Sequence, residues 1–356
     1  MTIITLDNAL SVRSHDGRER AIPAVRMDGD ARFSVRPQLR GFVNALNFRQ
    51  DAGEAAVIQR ALDYVEARAT EVMYPELRAL RFFPALTEVP LGPRTFTFAV
   101  KDRVGRARRT AGAGRDLPQA NITLSENTRA IAGYGAQYGW TTEEMRAFDY
   151  ARGQGRGPAL SLDTERADVA MEMIAREIDS VIAFGDPEDS RIRGAINDSN
   201  VTVSTAAINW NVATFAELLA EMLALANEPV TTSKETFIPN AILLPTAYLQ
   251  LVQSVLNAFG TKSVLQAFND AMQAAGRSVS VESWPKLNLA DAGGTGPRAV
   301  SYVRDTKVVG SVVPALFLAQ PPQANGLRWD VPCEGVCGGA VIKQPLGVYY
   351  RDGLGG

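Results

Sequence analysis

The stretch that decides the fold is Leu162 to Asp186, LDTERADVAMEMIAREIDSVIAFGD, followed by IRGAIND at Ile192 to Asp198. Ala167, Ala170, Met171, Ile174, Ile178, Val181 and Ile182 recur along one face at 3.6-residue spacing, which predicts a helix over 162–184. Gly185 closes it, and Glu172 with Arg176 adds an i,i+4 pair. At about 1.5 Å per residue such a helix spans about 35 Å, long enough to act as a structural spine.

Working upstream, Thr141 and Glu144 have capping-box spacing and open a short helix that ends at the glycines of ARGQGRG, 151–157. Before it, TFTFAVKD alternates Phe96 and Phe98 with polar neighbours, as a strand does. A Gly- and Arg-rich stretch, RVGRARRTAGAGRDLPQ, separates it from a return run over Asn121 to Ile131. The simplest reading is a long two-stranded arm with a flexible tip. Further upstream, Ile58, Ala61, Leu62, Val65, Ala69, Val72 and Met73 share a helical face that stops before Pro75. Residues 1–50 carry eight arginines, Pro23 and Pro37 without a sustained period, and read as an extended arm.

Downstream the character changes, because only five of the 31 arginines lie beyond Arg193, which marks a domain boundary. This region holds a helix with a Thr214–Glu217 capping box, the apolar segment AILLP, and helices around 249–256 and 264–275. Strand-like runs at VSYVRDTKVV and AVIKQPLGVYY complete an α+β chain.

Catalytic and ligand signatures are weak. The single histidine, His15, excludes histidine-built zinc sites and leaves one residue for any Ser-His-Asp triad. Gly133, Gly135 and Gly139 in GYGAQYG have the spacing GxGxxxG rather than that of a dinucleotide loop, and fit a glycine-rich strand end better. Gly260-Thr261-Lys262 lacks the upstream glycine of a phosphate loop and reads as a turn between helices. Cys333 and Cys337 in CEGVC read as two free thiols near a turn, with a hairpin or inter-subunit disulfide as the alternative. Asp186, Glu188 and Asp189 lack the alternating ligands of a calcium loop and read as a solvated acidic turn. No carboxylate pair stands out, and neither a metal nor a cofactor is expected.

The bulk properties agree. With 46% hydrophobic and 21% charged residues the chain is globular, and its net charge of −2 asks for neither nucleic acid nor an anionic membrane. The longest apolar run, Val312 to Ala319, is far below the about 20 residues of a membrane span. The opening MTIITLDNALSVRSHDGRER lacks the basic and apolar regions of a secretory signal. Arginine outnumbers lysine 31 to 6, which suits bidentate pairing at interfaces and equally reflects codon composition.

The order of features, together with AREIDSVIAFGD and IRGAIND, PNAILLPTAYLQLV, SVLQAFNDA and GGAVIKQPLGVYYRDG, resembles the major capsid proteins of tailed bacteriophages, a fold shared with encapsulin shells. The resemblance covers most of the chain from about residue 50. It implies an N-terminal arm at 1–50 and an extended loop at 91–127. A peripheral domain would comprise 51–90, 128–190 and 326–356, with an axial domain at 191–325. It further implies a non-enzymatic protein, made in the host cytoplasm, that assembles with itself in hexamers and pentamers into the icosahedral capsid of a virion. Decoration, scaffolding and portal proteins and non-specifically bound packaged DNA are the implied partners, with no membrane. An encapsulin-like compartment shell is the nearest alternative, and a carboxylate-dependent hydrolase the alternative of another class. Some family members weld subunits through a lysine on the extended loop. Here the tip from Val104 to Gln119 has no lysine, and Lys101 lies on the stem.

Two charged regions stand out. Lys101, Arg103, Arg106, Arg108, Arg109 and Arg115 face one acid, Asp102, a balance of +5 over 101–115. From Asp163 to Asp189 nine acids, Glu165, Asp168 and Glu172 among them, face Arg166 and Arg176, a balance of −7. The resemblance lays the loop across a neighbour, so the expectation is that the basic tip docks near an adjacent subunit's acidic helix.

Overall fold

The computed structural model describes residues 12–13, 19–20, 74–108, 118–153, 162–290 and 296–355. The chain divides into two compact units, Met1–Ala69 and Thr70–Gly356. In the first, β1 (Val12–Arg13) and β2 (Glu19–Arg20) pair antiparallel, with Val12 opposite Arg20. The rest of the N-terminal arm, His15 and the helix expected near 58–73 lie outside the described residues.

The second unit opens with a one-turn helix, α1 (Ala79–Phe82), and a hairpin of β3 (Thr95–Val104) and β4 (Asn121–Ala130). β5 (Ala132–Thr141) leads directly into α2 (Thr142–Gly153), and the spine follows as α3 (Leu162–Phe184). Both ends of the spine match the sequence reading, because Gly185 turns the chain out of the helix with φ +85°. Ala170, Ile174, Ile178, Val181 and Ile182 are buried as the period requires. Met171 is not: it is exposed, since it sits on the flank of the stripe in the N-terminal half of the helix.

The segment after the spine turns back beneath it. Ala195 N donates to Ile182 O at 2.8 Å and Ile196 N to Ala183 O at 3.2 Å. Gly194 permits this approach, because a Cβ there would lie 2.2 Å from Ala183 O. The IRGAIND phrase is therefore a backbone dock for the C-terminal end of the helix.

β6 (Thr202–Thr205) follows, then α4 (Phe215–Thr232), β7 (Ala241–Leu244), α5 (Thr246–Ser254), α6 (Val264–Ala274) and β8 (Ser280–Ser283). Next come β9 (Arg298–Tyr302), β10 (Val309–Ser311), β11 (Ala315–Ala319), β12 (Gln323–Asn325), β13 (Arg328–Cys337), β14 (Ala340–Ile342) and β15 (Val348–Asp352). VSYVRDTKVV is thus two strands separated by a turn in which Lys307 N donates to Asp305 Oδ1. α4 is capped as its spacing predicts, Glu217 accepting from Thr214 N at 2.8 Å.

β6-β15-β9-β7-β8 form a mixed five-stranded sheet, with β6–β15 and β7–β8 parallel. Its strands alternate between two cores. Ala241, Leu243, Val300, Tyr302 and Tyr350 face the core that contains Ile174, Ile178 and Ile182 of the spine. Ile242, Leu244, Ala299 and Tyr349 face the second, built by Leu218, Met222 and Leu225 of α4 with Phe268 and Met272 of α6. A sheet buried on both faces explains why AILL is apolar at every position.

The spine packs on a second sheet, β11-β13-β12, with β5 paired to β13 over ten positions from Arg328↔Thr141 to Cys337↔Ala132. Gly133, Gly135 and Gly139 lie within this ladder, as a glycine-rich strand rather than a nucleotide loop. Gly335 lets the spine settle: a Cβ there would meet Ile174 Cγ2 at 2.4 Å. Cys333 and Cys337 are both free and buried on β13, Cys333 within the strand and Cys337 at its end beside the Gly338–Gly339 turn, where Gly339 N donates to its Sγ at 3.3 Å. Four residues of extended strand separate their Cα atoms by about 13 Å, beyond the reach of a disulfide.

Charges inside this body are paired. Asp198 accepts from Arg129 Nη2 at 3.1 Å, Arg193 Nη1 at 3.0 Å and Asn200 N at 3.0 Å. Arg298 grips Asp352 bidentately at 2.6 and 2.7 Å and donates to Ile196 O at 2.6 Å. Arg351 pairs with Glu221 and Glu228 of α4, and Asp179 with Lys286 at 2.6 Å. Asp186 accepts from Tyr134 OH at 2.8 Å, which anchors the start of the acidic turn, while Pro187 and Glu188 stay exposed as expected.

The interior makes three testable demands. Asp198→Ala leaves Arg129 buried without its counter-charge and should cost about 3 kcal/mol in urea unfolding of dissociated subunits. Burial pushes the Cys337 thiol up from 9.0 to about 12 and raises Cys333 as well. Native subunits should therefore react with a thiol reagent at pH 8 only after denaturation. Because unfolded thiols ionise near 9 while Cys337 in the fold holds its proton to about 12, its contribution to stability is complete below pH 9. That contribution should decline between pH 9 and 12, and a Cys337→Ala variant should lack this part of the alkaline decline.

Candidate assembly surface

The β3–β4 hairpin is registered over ten pairs, from Thr95↔Ala130 at its root to Val104↔Asn121 at its end. At about 3.3 Å per residue it is about 33 Å long. Only the root is packed. Phe96 and Phe98 stack at 6.1 Å and join Leu86, Val312 and Val341 in a small cluster, and Arg129 is held by Asp198. From Lys101 to Val104 and from Asn121 to Thr128 every residue is exposed.

Paired residues share a face of the ribbon. Lys101 lies opposite Leu124 and Arg103 opposite Ile122, so cations and apolar side chains are interleaved on one face. Leu124 is 65% exposed, and Ile122 and Val104 are also open. Arg106 and Arg108 continue from the strand end, while Arg109 and Arg115 lie outside the described residues.

The outward stripe of α3 has the complementary character. Glu165 and Asp168 are exposed and share it with Val169 and with Met173, which is 59% exposed. Asp163 occupies the first turn of the helix. Glu172 already has a partner, Arg176 at 2.6 Å, whose guanidinium also lies 3.6 Å from the centroid of the Tyr74 ring. The structure thus puts Lys101, Arg103, Arg106 and Arg108 on one arm and Glu165, Asp168 and Glu172 on one helix stripe.

Charge counting missed the apolar half of both surfaces. Ile122 and Leu124 alternate with Asn121 and Thr123, a period-2 signal that marks one face of the arm. Val169 and Met173 fall on the charged side of the helical period, where burial is not expected.

Among the described residues no group of three or more His, Cys, Asp and Glu side chains gathers as a metal site, and no helix is long and apolar enough to cross a membrane.

A family model described as "Major capsid protein" matches residues 105–354. Curated protein sequences give no match. Among solved structures, the capsid of Myoviridae phage XM1 is similar with a TM-score of 0.70 at 15% identity, over 83% of this chain and 98% of that one. Gordonia phage Cozz gives 0.56 at 10% identity over 86% and 96%, and Mycobacterium phage Ogopogo 0.55 at 11% over 84% and 98%. These likenesses establish a shared α+β fold. Because the family match spans well over half the sequence, this chain belongs to the major capsid protein family, and is a structural component of the virion shell rather than an enzyme.

Proposed function

We propose that the chain tiles the icosahedral capsid of a tailed bacteriophage around double-stranded DNA, assembling with itself as hexamers and pentamers. The observation that carries this reading is the unsupported outer half of the β3–β4 arm on a chain of this family. A two-stranded ribbon exposing Val104, Ile122 and Leu124 is marginal in water and gains stability by lying on another surface. In this reading 91–127 is the extended loop, and its ladder continues to Ala130 at the root. Residues 51–90, 128–190 and 326–356 form the peripheral domain, and 191–325 the axial domain. The second hydrophobic cluster, drawn mostly from 210–299, supports a separate axial body. The arginine-bearing arm of 1–50 faces packaged DNA, and scaffolding, portal and decoration proteins act at the shell.

The receiving surface for the arm is the outward stripe of a neighbour's α3. Lys101 and Arg103, with Arg106, Arg108, Arg109 and Arg115 beyond, meet Glu165, Asp168 and Glu172 near Asp163, while Ile122 and Leu124 meet Val169 and Met173. Exposed ion pairs contribute about 0.2–1 kcal/mol each, so they set register and rate, and apolar burial holds the contact.

Negative-stain microscopy of the purified chain should show closed shells or capsomers, and a small monomer under assembly conditions would overturn the reading. Changing Arg106, Arg108 and Arg109 together to Glu should block shell formation while far-UV circular dichroism stays native. Assembly of the unmodified chain should slow as salt rises, and a triple variant with unchanged yield and salt dependence would remove the arm-to-spine contact.

A further inference from the structure

α2 is a helix with little to do inside its own subunit. From Glu143 to Tyr150 every residue except Phe148 is exposed, Met145 at 40% and Tyr150 at 71%. Yet the helix is firmly held at its start. Thr141 N donates to Glu144 Oε2 at 3.0 Å, and Glu144 N to Thr141 Oγ1 at 3.2 Å. Arg166 of the spine adds a two-pronged contact to Glu144, both prongs at 3.2 Å, which holds that carboxyl below its ordinary range. Thr142 donates from its N and its Oγ1 to Leu327 O. A helix fixed at one end and exposed on most of its described side chains presents a surface.

What it presents is self-complementary. At 100° per residue the side opposite Phe148 carries Glu143, Arg146, Tyr150 and Gly153, with Asp149 at its edge. Two copies of this stripe set antiparallel about a two-fold axis near residue 148 bring each Arg146 opposite the other copy's Tyr150. Each Arg146 then also neighbours the other copy's Asp149. Cation meets ring and carboxylate twice, and Gly153 leaves room where the ends of the helices cross. Leu327, 80% exposed beside the start of α2, and Trp329 next to it extend the surface with apolar area.

We propose that α2 is an isologous docking helix that meets α2 of a second copy of this chain across a two-fold axis between tiles. The proposal rests on the shell reading above, since a closed icosahedral lattice supplies such axes. One 12-residue helix buries far less than the roughly 1,600 Å² of a stable complex, so the contact forms in the lattice and not between free subunits.

Cysteine pairing tests the geometry. Subunits carrying Arg146→Cys and subunits carrying Tyr150→Cys, distinguishable by size, are co-assembled and oxidised. The native Cys333 and Cys337 are buried and leave a clean background. A mixed disulfide dimer is expected in co-assembled shells and not between dissociated subunits. Shells of either variant alone should cross-link poorly, because equivalent residues are offset along the helices. Charge exchange gives a second measure. Arg146→Glu and Asp149→Arg should each reduce the association constant between paired tiles about tenfold, and the double variant should restore it. Normal shells that form no mixed disulfide, or that assemble unchanged with either single charge reversal, would overturn this contact and leave the shell reading intact. Absence of shells from the unmodified chain would overturn both.

Discussion

The carboxylate of Asp198 ties the root of the arm to the segment that follows the spine. It is almost wholly buried and accepts hydrogen bonds from Arg129 at the root of the arm and from Arg193 in the segment after the spine. A charge in that position tolerates no slack, because an unpaired buried ion costs several kcal/mol. The arm therefore leaves the body at a defined place, and the end of the spine is locked beneath it by Gly194 and the Ala195 and Ile196 hydrogen bonds. Other features useful for assembly are measured from this corner.

The body and its projections divide the physical work. Inside, a sheet buried on both faces separates two cores, and specific ion pairs tie elements together: Arg298 joins β9 to the end of β15, Arg351 joins β15 to α4, and Arg129 joins β4 to the segment after the spine. Outside, the arm and α2 are secured only at one end and leave apolar side chains in water. For an isolated protein this distribution is unfavourable. For a tile it is functional, since the remaining burial becomes available only when neighbours arrive. The arginine excess also gains a structural account: the planar guanidinium serves paired sites such as Arg298–Asp352, where a lysine cannot supply two parallel hydrogen bonds.

Much was legible in advance wherever a single element carries its own signal. The helical period and Gly185 located α3 to the residue, Thr141 and Glu144 located the start of α2, and the alternation at Phe96 and Phe98 with the return run from Asn121 located the arm. These are local facts, decided by φ preferences, capping hydrogen bonds and side-chain periodicity over a few turns. Glu165, Asp168 and the arm cations were likewise visible as charge without burial.

Nothing in the sequence says which buried face meets which. That Met171 is left uncovered, that Cys333 and Cys337 share one strand and cannot join, and that Gly335 receives the spine depend on long-range packing of β5 against β13. The partners of Asp198 lie 69 and 5 residues away, and no local rule selects Arg129 from the other arginines. By itself, the sequence determined the elements, their ends and the charge carried by each surface, because those follow from neighbours along the chain. Tertiary structure alone decided which of those surfaces stay open for another subunit, because exposure is settled by what remains after every distant face has found its partner.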